Sequence, residues 1–101
     1  MNLIWTENIL LDIEKIKDYI ARDSQYYAQI TVQNIIDIIE ELPANPRIGR
    51  EVPEAGHPFI REVFYKNYRI MYQLDDTKII LLTVIHGSRD INYLTPWNIS
   101  G

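Results

Sequence analysis

The 101-residue sequence predicts an α+β fold: an N-terminal strand, an αα-hairpin, then a three-stranded antiparallel meander, in the order β-α-α-β-β-β. Three observations predict it. Isoleucines recur at spacings of three and four through the first half of the chain. A proline- and glycine-rich interval then interrupts the pattern. Three runs rich in β-branched and aromatic residues follow, separated by turns of two and three residues.

Each element has its own justification. Residues 2–5 (Asn2, Leu3, Ile4, Trp5) read as a short strand. Thr6 is a good N-cap, and Glu7 places negative charge at the positive end of the helix that follows. Ile9, Ile13, Ile16 and Ile20, with Leu10 alongside, form one apolar stripe on a helix running to about Arg22. Ser24 is a second N-cap. Ala28, Val32, Ile35, Ile39 and Leu42 repeat the stripe, Ile36 widens it, and Pro43 and Pro46 end it. So short a connection predicts an antiparallel pair of helices.

Residues 43–58 hold four of the five prolines and two of the four glycines, and read as a loop. The runs Phe59–Tyr65, Tyr68–Leu74 and Lys78–Ile85 read as strands. Lys66-Asn67 and Asp75-Asp76-Thr77 suit hairpin turns. The third run is apolar at almost every position, which predicts a central strand covered on both faces. With the helices on one face of the sheet, the other face and the end of the last strand are expected to be free for function. Residues 91–101, with Tyr93, Pro96 and Trp97, read as a tail that either packs or awaits a partner.

Composition bounds the function classes. A single domain covering residues 1–101 is expected, 47% hydrophobic and 24% charged. The absence of cysteine removes disulfide frameworks and thiolate metal sites. The opening residues lack a basic and then apolar leader pattern, and no apolar run approaches the ~20 residues of a membrane span, so a cytoplasmic protein without membrane contact is expected. The net charge of -4 argues against non-specific nucleic-acid binding. Residues 1–46 carry three basic and eight acidic side chains, and residues 47–101 seven basic and six acidic. Any anion-handling surface therefore belongs to the second half.

Arg61 and Arg69 lie on paired strands, Arg89 follows the third strand, and Arg50 lies in the loop before them. Guanidinium groups gathered on one sheet face could bind phosphate bidentately. They could equally form ion pairs with Glu51, Glu54, Glu62 and Asp90. His86, at the end of the last strand before Gly87, is either a general acid–base or a turn residue. His57 sits in a Gly56-His57-Pro58 loop. The histidine spacing matches no metal motif, and no glycine-rich phosphate loop is present. His86, Ser88 and Asp90 are too close in one loop for triad geometry.

Taken in order, these residues resemble a known family. Ile4-Trp5-Thr6 with the Ile-rich helix, the loop Leu42-Pro43…Asn45-Pro46…Gly49-Arg50, the strands Arg61-Glu62-Val63 and Asn67-Tyr68-Arg69-Ile70-Met71-Tyr72, and the ending Val84-Ile85-His86-Gly87-Ser88-Arg89-Asp90 are similar to the RelE/ParE superfamily of small bacterial toxins. The resemblance covers nearly the whole chain and implies a RelE/ParE-like fold, a type II toxin and a cognate antitoxin as partner. One branch of the superfamily cuts mRNA on the ribosome without a metal; the other inhibits DNA gyrase.

On the nuclease branch, Arg69, Arg89 and His86 would be catalytic. That branch also carries paired lysines on the preceding strand, where this chain reads Phe59-Ile60-Arg61-Glu62-Val63, and a late tyrosine where Thr95 falls, with Tyr93 nearby. The Arg-Glu-Val strand and the His-Gly-x-Arg-Asp ending are closer to the gyrase branch. There Arg50, Arg61, Arg69, Arg89 and Tyr93 would contact the target. The resemblance thus implies a gyrase inhibitor with no cofactor and no metal. The alternatives are a ribosome-dependent mRNA endonuclease, and a degenerate toxin acting only in antitoxin binding and autoregulation.

Overall fold

A computed structural model describes residues 1–87 and Trp97. Strand β1 (Asn2–Trp5) leads into helices α1 (Glu7–Ala21) and α2 (Gln25–Glu41). Strands β2 (Arg50–Glu51), β3 (Ile60–Tyr65), β4 (Tyr68–Leu74) and β5 (Lys78–His86) follow. They form one five-stranded sheet in the order β1-β5-β4-β3-β2.

Both helix caps act as the sequence predicts. The Thr6 hydroxyl accepts a hydrogen bond from the Ile9 N–H (3.2 Å) and donates one to the Leu81 carbonyl (2.6 Å). The Ser24 hydroxyl accepts from the Tyr27 N–H at 3.1 Å. Pro43 does not end the chain's coiling outright; Leu42–Ala44 tighten into one 3₁₀ turn.

The two helices lie on one face of the sheet. Their stripes, represented by Ile9, Ile35 and Ile39, bury fully against Ile70, Tyr72, Ile79 and Leu81. Each such side chain contributes about 1.5–3 kcal/mol of burial. A clasp reinforces this packing. Asn8 Nδ2 donates to the Leu82 carbonyl (2.9 Å), and the Asp12 carboxylate accepts from the Thr83 hydroxyl and from the Val84 N–H (3.3 Å).

Three features differ from the sequence expectation. The sheet has a fifth strand, the two-residue β2, inside the stretch read as a loop; Arg50 pairs with Glu62 and Glu51 with Arg61. The middle strand is β4, with β5 between β4 and the parallel β1. Strand β5 is apolar at most positions because it lies between two strands and packs on both faces. A bulge also places one extra residue, Leu82, between the Met71–Thr83 and Tyr72–Leu81 pairs.

The far face of the sheet is not open. Val52, Ile60, Met71, Leu82 and Ile85 form a second small core there, with Ala55, Ile80 and Trp97 packed against it. The segment between β2 and β3 thus straps the face expected to be free, and within the tail Trp97 packs.

Candidate functional site

The loop between α2 and β2 is fixed by one buried phenol. Tyr72 donates to the Pro46 carbonyl (2.8 Å) and accepts from the Gly49 N–H (3.0 Å). Burial raises the Tyr72 pKa, which keeps the hydroxyl protonated as a donor. Gly49 has no room for a side chain: a Cβ would stand 2.6 Å from the Glu62 carbonyl oxygen and 2.6 Å from the Tyr72 hydroxyl. The Pro46-to-Arg50 spacing is therefore a clamp on β4. Sequence reading singled out the loop but missed Tyr72. The signal was available, because a tyrosine at a core position of a strand needs a partner for its hydroxyl.

This clamp delivers Arg50 to the far face, where four charged groups meet. Glu62 on β3 has a fully buried carboxylate that accepts from Arg69 Nε (2.6 Å) and from Arg50 Nε (2.8 Å). The remaining Arg69 nitrogens hold Glu54 in a bidentate pair, both at 2.9 Å. The hydrogen bond from Arg69 is the main cause of a Glu54 pKa lowered to about 2, and Glu54 in turn raises that of Arg69. The cluster has two cations and two anions. It ties β2, β3, β4 and the strap together.

Sequence reading allowed a phosphate-binding arginine face or carboxylate pairs. For Arg50 and Arg69 the carboxylates are in place. The Arg69 side chain is 7% exposed, and its guanidinium directs three nitrogens at Glu54 and Glu62. Arg61 does not join it. Register pairs Phe64 with Arg69 and Arg61 with Tyr72, so Arg61 lies on the helix side and donates to the Gly49 carbonyl at 2.7 Å. The expected single arginine face is thereby corrected. Arg50 is the candidate with an outward guanidinium: its side chain is 57% exposed and rests over the Phe64 ring at 5.1 Å. Arg89 and Tyr93 lie outside the described residues.

His86 ends β5 at the surface, edge-on to the Tyr68 ring at 5.9 Å. The two line a cleft of about 330 Å³ with Asp12, Lys15 and Tyr19. His57 uses Nδ1 to accept from the Phe59 N–H (3.2 Å), a turn role. A larger groove, about 680 Å³, runs between the end of α2 and the β2–β3 edge. Ile48 and Phe64 are exposed on its walls. Sequence reading did not find it, because it forms only where the run from Ile38 to Arg50 folds against Glu62–Phe64 of β3.

The comparisons with known proteins agree with this architecture. A family model described as the ParE toxin of the type II toxin–antitoxin system, parDE, matches residues 3–91. A solved structure of the chromosomal ParDE toxin–antitoxin system from P. aeruginosa superposes with a TM-score of 0.71 at 21% identity, covering 85% of this chain and 95% of that one. At that identity the likeness is one of fold. No curated protein matches the sequence.

Proposed function

The chain belongs to the ParE toxin family of type II toxin–antitoxin systems, and on that premise we propose that it arrests growth by binding DNA gyrase until a cognate antitoxin captures it. The observation that carries this reading is the family match over residues 3–91, across all the described strands and both helices. The mechanism is binding rather than chemistry. A gyrase inhibitor acts in the cytoplasm, and among the described residues no helix is long and apolar enough to cross a membrane.

The site geometry favours binding over RNA cleavage. A metal-independent nuclease needs cationic side chains free to meet a phosphate and a base poised beside the 2′-hydroxyl. Arg69 is committed to Glu54 and Glu62, and Arg61 lies on the opposite face. We assign the target contact to Arg50 on the exposed rim, together with Arg89 and Tyr93 beyond β5.

Purified chain added to a gyrase supercoiling reaction tests the proposal. Inhibition at near-stoichiometric ratios, relieved by the antitoxin, is expected. No inhibition at large excess, together with mRNA cleavage in a translating extract, would transfer the chain to the nuclease reading.

A further inference from the structure

We propose, on the antitoxin reading above, that the groove between α2 and the outer edge of β3 receives an extended antitoxin segment that is both apolar and positively charged. Three independent features of the groove point to that occupant.

The first is shape and surface. The groove encloses about 680 Å³, and Ile38, Leu42, Val63, Ile48 and Phe64 supply its apolar walls. Ile48 is 63% and Phe64 47% exposed, so two large apolar side chains of the lining stand in water.

The second is an open sheet edge. Strand β2 covers β3 only at Arg61 and Glu62. The Val52 N–H bonds to the Ile60 carbonyl, which sets the alternation: Ile60, Glu62 and Phe64 turn their backbone groups towards the β2 side. Beyond Glu62, among the described residues, no strand pairs with that edge. An extended segment in line with β2 and antiparallel to β3 would take up the Phe64 N–H and carbonyl, with alternate side chains entering the groove.

The third is charge. Helix α2 ends on Glu40-Glu41 with no basic residue in its last turn, where its own carbonyls already present negative potential. Among the described residues the groove's one lining cation, Arg50, is engaged by Glu62. Glu41 on the rim therefore lacks a compensating cation within the groove lining. A Lys or Arg on the incoming segment supplies it, and an acidic segment would meet like charge. The chain's net charge of -4 favours a basic partner segment at longer range as well.

The test uses the full-length chain and the product of the adjacent reading frame as probe, with affinity measured by calorimetry at low and high salt. Ile48→Glu and Phe64→Glu should each weaken binding by about tenfold or more. Tyr26→Glu, on the exposed start of α2, should stay within about twofold. Glu41→Lys should weaken binding by about tenfold at low salt and by less at high salt. All four positions are exposed, so unchanged melting curves verify folding; if Ile48→Glu fails to fold, Phe64→Glu and Glu41→Lys carry the test.

Tight binding that ignores the groove variants overturns the inference and leaves the antitoxin reading intact. So does tighter binding by Glu41→Lys, which reverses the charge sign. A concentration-dependent dimer of the chain, lost in Ile48→Glu with antitoxin affinity unchanged, assigns the groove to a second copy and also overturns it. No binding by the wild-type chain removes the antitoxin reading itself.

Discussion

Arg69→Ala should cost about 3–5 kcal/mol of folding stability, because it leaves the buried Glu62 carboxylate with one cationic partner, the half-exposed Arg50, in place of two. In the wild type, Arg69 makes three charge-assisted hydrogen bonds of 2.6, 2.9 and 2.9 Å, one to Glu62 and two to Glu54. Glu54 can turn to water, since its side chain is already 26% exposed. Glu62 cannot: its side chain is 0% exposed, and Arg50 Nε would be its remaining cationic neighbour. Against a total of about 5–15 kcal/mol for a domain of this size, the loss removes roughly a fifth of the stability or more. It should lower Tm by roughly 15–30 °C.

The measurement is urea or thermal unfolding followed by circular dichroism. A second variant isolates the cause. Arg69→Met combined with Glu62→Leu replaces the buried pair with apolar groups, leaving Arg50 and Glu54 to solvent. It should recover stability to within about 1 kcal/mol of the wild type, or exceed it. If Arg69→Ala alone costs less than about 1 kcal/mol, or the double variant is no more stable than the single one, the stranded-charge reasoning is wrong. The result also bears on functional assays, since activity lost in Arg69→Ala is to be read against its unfolding curve.

Three further outcomes are expected. Gly49→Ala should destabilise by about 2–3 kcal/mol in a urea titration, because its Cβ meets a backbone oxygen and the Tyr72 hydroxyl, both held in place. Thr6→Ala should cost about 1–2 kcal/mol by thermal melt, more than Ser24→Ala, because Thr6 caps α1 and also bonds across to β5. The Glu54 pKa is lowered by its bond to Arg69, so the stability it contributes is fully present above about pH 4.5 and is lost as pH falls towards about 2. The urea midpoint should therefore fall across that window in the wild type and fall less in Glu54→Gln.

Local rules made the helices readable. Thr6 and Ser24 cap, Pro43 interrupts, and isoleucine spacing defines the buried stripes. The meander was readable for the same reason, since its turns join neighbouring runs. Pairing at long range was not. Nothing in Asn2–Trp5 names Lys78–Leu81 as its parallel partner, and two residues are too few for β2 to show a period. The arginine face is a different case. A two-residue Lys66-Asn67 turn already pairs Phe64 with Arg69, and Arg61 lies an odd number of residues from Phe64. The opposition of Arg61 and Arg69 was present in the sequence. What was absent was the strap that brings Glu54 over Arg69, because no pattern in Val52–Phe59 says where it lands.

The closure of β1 onto β5 governs when this protein can exist. Thr6 reaches Leu81, Asn8 reaches Leu82 and Asp12 reaches Thr83, across 75, 74 and 71 residues of chain. Such contacts are slow to form, because the entropy of closing the long loop is lost before any of them is made. During synthesis, β1 has no partner strand until β5 has been made. On the function proposed above, a chain built this way cannot inhibit its target before β5 has been made, because the sheet is incomplete until then.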